Sequence, residues 1–384
     1  MKDGKSKRRD TKGSSKTFLS IKPPPLSTYK KKQTDKKNTM KAITIPGLRQ
    51  LEVVDLPKPE AKAGEVLLRL EYVGFCGSDL NTFLGRNTMA KANVIPGHEI
   101  GAVIEAVGPE CPDTLVPGMV VTVNPYTNCG HCASCRNGRY NACQHNETLG
   151  VQRDGAMREF ITLPWQKIIP VKDVTTRDAA LIEPMSVGFH AVDRGEVKDI
   201  DTVLVFGCGM VGLGAVARAV QRGATVIAVD LSEEKLEIAR SLGAAYGINS
   251  KTENVVERVM EYTDGYGADC VIEAVGSPVT YVTAIDAVSF TGRVVCIGYS
   301  KNPVEFQTKY FVQKEIDIRG SRNATPNDFR AVQLYLAKTK IPMDGFVSAV
   351  ATPETALSAM EKWAEACSGG NKVLKLKASI EREN

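Results

Sequence analysis

The segment Thr202–Val220 constrains the fold of this chain more than any other. It reads TVLVFGCGMVGLGAVARAV, an apolar strand-like run, three glycines in a G-x-G-x-x-G pattern, and a helix-like run. In such a turn the first glycine permits a tight bend, the second lets a pyrophosphate approach the backbone, and the third lets the helix pack on the strand. The helix dipole then faces the phosphates. The residues predicted to contact a dinucleotide here are Gly207, Gly209, Met210, Val211 and Gly212.

Strand-like and helix-like segments alternate around this turn, which predicts an α/β domain with a doubly wound parallel sheet of the Rossmann type. The predicted strands are Thr202–Gly207, Thr225–Asp230, Asp269–Val275 and Arg293–Gly298, and the first helices are Met210–Gln221 and Glu233–Leu242.

Asp230 ends the second of these strands, eighteen residues after Gly212. A carboxylate at this position hydrogen-bonds the ribose 2′-hydroxyl of NAD and repels the 2′-phosphate of NADP. No arginine follows directly, so NAD is the predicted cofactor. A structural role as a helix N-cap is the alternative for Asp230, although Ser232 could fill that role instead.

The part of the chain before this domain has a different sequence pattern, with short strand-like segments separated by glycines. The clearest are Glu65–Gly74, Ile100–Val107 and Met119–Val123, which predict a compact β-barrel-like domain. After about Arg319 the strand–helix rhythm breaks again. The predicted division is an extension (1–39), a barrel-like domain (40–185), a dinucleotide-binding domain (186–322) and a return to the first domain (323–384).

The basic charge of the chain is confined to its N-terminal extension. Residues 1–39 contain 13 Lys/Arg and three Asp, whereas the remainder contains 36 Lys/Arg and 41 Asp/Glu. Nucleic-acid binding by the folded part therefore has little support. The composition of the extension predicts disorder; we expect Met40 to be the functional start, with a basic docking arm as the alternative. No secretory signal or membrane-spanning run is present, so a cytoplasmic location is expected.

Four of the ten cysteines lie in one polar loop, NPYTNCGHCASCRNGRYNACQ, with the spacing C-x2-C-x2-C-x7-C. They are Cys129, Cys132, Cys135 and Cys143. This density of thiolates in a chain without a secretory signal predicts a closed structural zinc site and not a set of disulfides. An iron–sulfur cluster is the chemical alternative, but the fourth cysteine lacks the following proline of ferredoxin-like runs.

Three further stretches carry candidate reactive groups: GFCGSDL from Gly74, IPGHEIG from Ile95 and LIEPMSVGFHA from Leu181. Taken singly, Cys76 could be a small core residue, His98 a satisfied polar residue and Glu99 a surface charge. Glu183 lies in an apolar setting, where a carboxylate needs a partner.

Together with the glycine turn and the cysteine loop, these stretches resemble the zinc-containing medium-chain dehydrogenases, in the order of that family. The resemblance covers Met40 to the C-terminus and is strongest to the sorbitol and threonine dehydrogenase branch, because Glu99 follows His98 and Glu183 replaces a cysteine ligand. GSRNATPNDF (320–329) and LGVQRDG (149–155) are most similar to dehydrogenases of hexonic sugar acids such as L-galactonate.

The resemblance implies a GroES-like catalytic barrel, one catalytic and one structural zinc ion per subunit, and NAD. Cys76, His98 and Glu99 would hold the catalytic zinc, which acts as a Lewis acid during hydride transfer. Glu183 would hold the zinc-bound water or join the coordination shell, and would also contact substrate. Ser78 would take the hydroxyl proton. The catalytic set is thus Cys76, Ser78, His98 and Glu183, with Asp79 bracing the turn.

Two further positions bear on the substrate and the proton. Arg322 corresponds to an arginine that contacts substrate or cofactor in polyol relatives, and it could pair with a substrate carboxylate; an ordinary surface salt bridge is its alternative. Asn81 stands where some relatives have a histidine that completes a proton relay. Because asparagine cannot act as a base, the proton is expected to leave through water.

The predicted function is zinc-dependent, NAD-linked oxidation of a secondary alcohol of a sugar acid or polyol. L-Threonine and hexitols are alternative substrates, and a zinc-ribbon binding module is the alternative from another class. A catalytically inactive relative is disfavoured by the intact Cys76, Ser78, His98 and Glu99. The expected partners are a small polyhydroxylated substrate and further copies of the chain, as a homodimer or homotetramer paired through a sheet edge near Arg293–Ser300, with no nucleic acid or membrane.

Overall fold

The computed structural model describes residues 38–339, 346–368 and 376–379. The predicted extension, residues 1–39, lies outside these residues except for its last two.

The first half of the described chain is β-rich. Its strands are β1 (Thr39–Thr44), β2 (Glu52–Pro57), β3 (Glu65–Gly74), β4 (Glu99–Val107), β5 (Val120–Val123), β6 (Phe160–Pro164) and β7 (Ile168–Pro170). β1 and β2 form an antiparallel pair. β3 lies at the centre of a seven-stranded sheet, where it pairs with β4, with β6 and with a later strand, β15 (Leu376–Ser379). β14 (Ala349–Ala351) lies at the edge beyond β15.

A second sheet contains six parallel strands. They are β8 (Thr202–Phe206), β9 (Thr225–Asp230), β10 (Tyr246–Asn249), β11 (Ala268–Glu273), β12 (Val288–Cys296) and β13 (Asp317–Gly320). Their order is β10-β9-β8-β11-β12-β13, so the strand order reverses between β8 and β11. Ligands of doubly wound sheets bind in the crevice at that reversal, beyond the carboxyl ends of the strands.

Eleven α-helices occur in the described residues. They are α1 (Gly77–Phe83), α2 (Ala133–Arg136), α3 (Thr176–Ala179), α4 (Ile182–Arg194), α5 (Met210–Gln221), α6 (Glu233–Ser241), α7 (Val255–Tyr262), α8 (Pro278–Ala287), α9 (Lys309–Gln313), α10 (Pro326–Lys338) and α11 (Ala356–Ser368). None of these helices is long and apolar enough to cross a membrane.

The central strand β8 shows why the parallel sheet needs helices on both faces. Alternate residues of a strand point to opposite faces. Val203 and Val205 accordingly pack into a core with α4, α5 and α10. Leu204 and Phe206 pack into a second core with α7 and α8. Both faces of β8 are therefore covered by apolar packing, and the predicted α/β architecture with a doubly wound sheet is confirmed.

Two details differ from the sequence predictions. The segment near Arg293–Ser300 is not the edge of the sheet, because β13 pairs with β12 and covers it. β13 has only four residues and no apolar alternation, so its sequence carries little strand signal. In addition, α10 packs against α4 in the core of the parallel sheet, so the chain returns to the first sheet only at β14 and not from residue 323.

Candidate active site and metal centres

Pairing of β3 with β4 brings the first group of candidate residues together. Gly74 at the end of β3 lies opposite Glu99 at the start of β4. The chain then turns, and the ligand atoms of Cys76, His98 and Glu99 lie within 4.8 Å of one another. A thiolate, an imidazole and a carboxylate form a donor set that suits zinc, and three protein ligands leave one tetrahedral position for water or substrate. The residues therefore fit an open zinc site.

The turn that carries Cys76 is held by the first residues of α1. Asp79 is fully buried, and its Oδ2 accepts a hydrogen bond from the backbone N–H of Cys76 at 2.8 Å. Burial raises the pKa of Asp79 to about 6, against the opposing charge of His98. Within the described residues, Ser78 Oγ and His98 Nδ1 are buried without a hydrogen-bond partner. Orphaned buried polar atoms of this kind are rare in native proteins and indicate a place for a ligand.

Glu183 lies beside this group, at the start of α4. Its side chain is 4% exposed, and the Tyr126 hydroxyl donates a short hydrogen bond to its Oε1. Burial, together with the charge of Glu183, raises the pKa of Tyr126 well above its usual value, so the phenol stays protonated and remains a donor. Tyr126 carries no signal of its own in the sequence, because it lies three residues before Cys129 in a loop whose pattern indicates only the cysteines.

The charges of the site converge on His98. Burial works against the charged form of its ring. The Cys76 sulfur and two carboxylates, those of Asp79 and Glu183, act in the opposite direction and raise the pKa of His98 well above its usual value. Such a concentration of negative groups in a buried place is the environment that a divalent cation stabilises.

Replacing Tyr126 with phenylalanine is expected to lower kcat about 10- to 100-fold. The variant leaves one oxygen of a buried carboxylate without its donor, and a hydrogen bond to a charged group contributes about 1.5–3 kcal/mol. Zinc content and the Kd for the dinucleotide should not change, because the Tyr126 hydroxyl is hydrogen-bonded to Glu183 and the variant keeps the aromatic ring. Steady-state kinetics measure kcat, metal analysis measures the zinc content, and a binding titration measures the Kd for the dinucleotide. Tyr335→Phe, which removes a half-buried hydroxyl on α10, is the matched control; equal kcat values for the two variants contradict the positioning role.

The glycine turn has the geometry that a pyrophosphate site requires. Gly207 has a φ of +89°, in the left-handed region that favours glycine. A Cβ on Gly212 would lie 1.7 Å from the carbonyl oxygen of Gly207, so the start of α5 can reach β8 only without a side chain there. Gly209 is the N-cap residue of α5, and Met210 and Val211 begin the helix. Their backbone N–H groups are available to an anion.

Asp230 lies at the carboxyl end of β9 beside this turn. Its Oδ2 accepts from the backbone N–H of Cys208 at 2.8 Å, and its Oδ1 accepts from the N–H of Leu231 and of Ser232. The Lys235 ammonium lies 3.4 Å from Oδ1. Asp230 therefore braces the glycine turn, and the N-cap residue of α6 is Ser232 and not Asp230.

One cavity joins the zinc-site residues to the glycine turn. Its volume is about 580 Å³. Cys76 and Glu99 line one part of it, while Gly209, Met210 and Lys235 line another. The candidate zinc ligands and the glycine turn thus share a single space, the arrangement that hydride transfer between an alcohol and a nicotinamide requires.

The four-cysteine lobe, defined here as residues 129–145, carries a second set of candidate metal ligands. Its four sulfur atoms lie within 4.8 Å of one another, and the Cys132 and Cys143 sulfurs are 3.8 Å apart. Zn–S bonds of about 2.3 Å in a tetrahedron imply sulfur–sulfur separations of about 3.8 Å. The Ser134 hydroxyl and backbone N–H groups lower the pKa of Cys132 to about 5, which favours the thiolate. The residues fit a closed zinc site.

Arg322 contacts this lobe and does not line the cavity of Cys76. Its Nη1 donates to the carbonyl oxygen of Cys143 at 3.3 Å. Asn141 Nδ2 in turn donates to the Arg322 carbonyl at 2.7 Å and lies 3.0 Å from His190 Nε2, on α4. These contacts join the loop of Arg322 and the lobe to α4.

Lys301, unlike Arg322, contacts α1, the helix that follows Cys76. Its Nζ donates to Asn81 Oδ1 at 3.2 Å, across 220 positions of sequence. Asn81 lies on α1 at i+3 from Ser78, and side chains at this spacing share a helix face. Within the described residues no ion pair neutralises this exposed ammonium.

Comparison with known proteins finds two family models in the chain. Residues 62–173 match the alcohol dehydrogenase GroES-like domain, and residues 210–338 match the zinc-binding dehydrogenase domain. A sorbitol dehydrogenase of Halalkalibacterium halodurans is 31% identical over 89% of this chain and 100% of its own length. An L-galactonate-5-dehydrogenase of Escherichia coli is 33% identical over 73% of this chain and 82% of its own length.

Solved structures agree with these matches. An Escherichia coli alcohol dehydrogenase complexed with NADH is 29% identical with a TM-score of 0.79, covering 89% of this chain and 99% of that one. A zinc-binding dehydrogenase of Sinorhizobium meliloti bound to NADP is 25% identical with a TM-score of 0.80, with the same coverage of 89% and 99%. Both nicotinamide cofactors therefore occur among close structural neighbours.

Proposed function

This chain belongs to the family of zinc-binding alcohol dehydrogenases, and we propose that it oxidises a secondary alcohol of a sugar acid with NAD as hydride acceptor. The family membership predicted from the motifs is confirmed, and a zinc-ribbon binding module no longer describes the chain. Two relatives are named as dehydrogenases of a polyol, sorbitol, and of a sugar acid, L-galactonate. A hexonate such as L-galactonate is the substrate we propose, ahead of hexitols and L-threonine.

The observation that carries this proposal is the single cavity between the two halves of the chain. Cys76 and Glu99 line it from the barrel side, and Gly209 and Met210 line it from the parallel sheet. When bound, zinc supplies Lewis-acid polarisation of the alcohol and the dinucleotide supplies the hydride acceptor.

The side chains of the chain supply the remaining chemistry. The Ser78 hydroxyl, buried without a partner in the described residues, is placed to accept a proton from the substrate hydroxyl and pass it outward. Asn81 holds Lys301 through its amide oxygen and cannot act as a base, so the proton leaves through water. The Tyr126 hydroxyl fixes one oxygen of Glu183 beside the zinc-site residues.

The preference for NAD is proposed from Asp230. Its carboxylate occupies the end of β9, where a 2′-phosphate would be repelled, although Lys235 offsets part of this charge. The balance of these two charges supports NAD, and comparison of kcat/KM for NAD and NADP tests it.

The substrate carboxylate is proposed to bind Lys301. This exposed ammonium is attached to α1, the helix that carries Ser78, by its hydrogen bond to Asn81. An ammonium is a good partner for a carboxylate, and a neutral hexitol has no group to exploit it. The arrangement therefore favours a sugar acid over a polyol of the same length.

A substrate panel tests the proposed function. Formation of NADH by the zinc-loaded protein is followed with hexonates, hexitols and L-threonine, each with NAD and with NADP. The highest kcat/KM is expected for a hexonate with NAD. Preference for a hexitol or for threonine rejects the sugar-acid assignment. If no substrate of the panel yields NADH although zinc and NAD are both bound, the proposed substrate class is wrong.

Lys301→Met is expected to raise the KM for the hexonate about 10- to 100-fold. The change removes a charged hydrogen bond that contributes about 1.5–3 kcal/mol to binding. The KM for a hexitol should change less than about twofold, because a neutral substrate makes no charge pair with Lys301. Parallel kinetics on the two substrates measure the ratio.

Two variants provide controls for this prediction. Lys309→Met removes another exposed lysine of the same domain and should leave both KM values unchanged. Arg322→Met removes the arginine that contacts the lobe and should leave the hexonate-to-hexitol ratio unchanged. If Arg322→Met selectively loses hexonate binding and Lys301→Met does not, Arg322 and not Lys301 binds the substrate carboxylate.

We also propose that the chain assembles as a homodimer or homotetramer. β13 is the edge of the parallel sheet, and Ile318 on it is 46% exposed. Continuation of the sheet across two copies of β13 buries such an edge. Light scattering on the purified protein gives the number of subunits.

A further inference from the structure

The surface of the four-cysteine lobe carries a second set of metal-binding side chains. The chain has four histidines, and two of them, His131 and His145, flank Cys129 on this surface. Both imidazoles are exposed, and their rings stack with centroids 6.1 Å apart and planes inclined by 29°. One ligand atom from each of the three residues lies within 4.8 Å of the others.

The tautomer of His131 is set by the backbone. Its Nδ1 lies 2.8 Å from the carbonyl oxygen of Cys129, and a carbonyl can only accept, so Nδ1 carries the hydrogen. The lone pair of this ring is then on Nε2. A hydrogen bond from the far ring nitrogen to a backbone carbonyl is the usual way in which a protein orients a metal-ligating histidine.

Cys129 differs from the other cysteines of the lobe in its exposure. Cys132, Cys135 and Cys143 are buried, whereas Cys129 is partly exposed. Its sulfur can therefore belong to the interior site and still present lone pairs to the outer surface.

We propose that Cys129, His131 and His145 form an outer transition-metal site, in which the Cys129 thiolate is shared with the interior zinc site. Two imidazole nitrogens and one sulfur select borderline ions such as Zn²⁺, Co²⁺ or Ni²⁺ over Mg²⁺ and Ca²⁺, which require oxygen ligands. Three protein ligands leave the outer ion open to water. The lobe then holds two ions bridged by one sulfur.

The neighbouring charge indicates that this outer site is weaker than the interior one. Arg136 Nη1 donates to the carbonyl oxygen of His131 at 2.8 Å and brings a positive charge close to the bound ion. A shared thiolate also offers less charge to each ion than an unshared one. The outer site is therefore expected to fill only after the four thiolates have bound zinc.

Titration of the full-length, zinc-loaded protein with Co²⁺ tests this site. The expected result is one Co²⁺ per chain in addition to two retained zinc ions, with a visible d–d spectrum and a near-ultraviolet sulfur-to-cobalt band. His131→Gln/His145→Gln is expected to lose this third equivalent. Each single variant should weaken Co²⁺ binding at least about tenfold. Gln144→Ala, an exposed neighbour of His145, is the matched control and should bind Co²⁺ as the parent does.

Several outcomes overturn the proposal. The absence of a third equivalent does so, as does a third equivalent that persists in His131→Gln/His145→Gln. Release of one zinc for each Co²⁺ bound shows replacement at an interior site and rejects the outer one. A histidine-dependent third equivalent without the sulfur-to-cobalt band rejects the shared Cys129 thiolate. Retention of two zinc ions and of dehydrogenase activity shows that the double variant is folded.

Discussion

Replacement of Cys76 by alanine is expected to lower kcat/KM at least about 1000-fold, because zinc stabilises the developing charge on the alcohol oxygen by several kcal/mol. The variant removes one of three donors whose ligand atoms lie within 4.8 Å. Two donors, His98 and Glu99, do not retain zinc against dialysis. Metal analysis should therefore find about one zinc ion per chain in place of the two proposed for the parent protein.

The fold should survive this change. Cys76 is partly exposed, and the turn that carries it is held by the backbone hydrogen bond to Asp79, which alanine preserves. Removal of the Cys76 sulfur leaves the glycine turn untouched, so the Kd for NADH should stay within about twofold of the parent value. Circular dichroism, thermal unfolding and NADH fluorescence check these expectations.

Cys111→Ala is the control for the loss of a cysteine as such. Cys111 is also partly exposed, and its thiol donates a hydrogen bond to the backbone carbonyl of Glu65 and belongs to neither group of candidate zinc ligands. This variant should keep two zinc ions and full activity. If Cys76→Ala keeps two zinc ions, or if it retains activity within tenfold of the parent, the zinc site has been assigned to the wrong residues.

The parts of this site that could be predicted from sequence are those whose signal is local. The glycine turn occupies a few consecutive residues, and its predicted helix, Met210–Gln221, matches α5. The four cysteines lie within fifteen residues, and their side chains do meet. Local spacing sets local geometry in both cases, since a short segment has few ways to fold.

Contacts between distant segments carry no such signal. Tyr126 and Glu183 are 57 positions apart, and Lys301 and Asn81 are 220 apart. The meeting of Cys76 with His98 depends on the register of β3 on β4, which the sequence predicts only through its resemblance to a family. The prediction that Arg322 contacts substrate likewise rests on the family resemblance alone, and in the structure the Arg322 guanidinium donates to the carbonyl oxygen of Cys143.

Loss of a cysteine from the lobe is expected to lower the stability of the protein, whereas loss of Cys76 is expected to lower its activity. Cys143→Ser removes a sulfur that is fully buried and accepts hydrogen bonds from the backbone N–H groups of Cys129 and His145. Serine is a poor zinc ligand, and structural zinc in small domains contributes about 10–16 kcal/mol to folding. We expect the variant to hold about one zinc ion per chain and to unfold at a temperature lower by roughly 5 °C or more.

Unfolding of the lobe should also displace α4, the helix that carries Glu183. Asn141, two residues before Cys143, contacts His190 on α4, and Glu183 lies in the first turn of the same helix. His190 Nδ1 in turn lies 3.1 Å from Asp328 on α10. An unfolded lobe removes these contacts, so kcat should fall even though Cys76, His98 and Glu99 are unchanged. A fall of about tenfold corresponds to the loss of one such buried hydrogen bond.

Limited proteolysis separates this effect from the loss of the catalytic zinc. Arg136 and Arg139 are exposed residues of the lobe, and trypsin needs an unfolded segment to cut there. Cys143→Ser should be cut rapidly at these two positions, whereas Cys76→Ala, which also holds one zinc ion, should resist as the parent does. Each variant thus loses one zinc ion. Cys143→Ser loses the folded lobe, whereas Cys76→Ala keeps the fold and loses the catalytic metal. Equal resistance of both variants to trypsin, or two zinc ions in Cys143→Ser, contradicts the assignment of the lobe as the structural site.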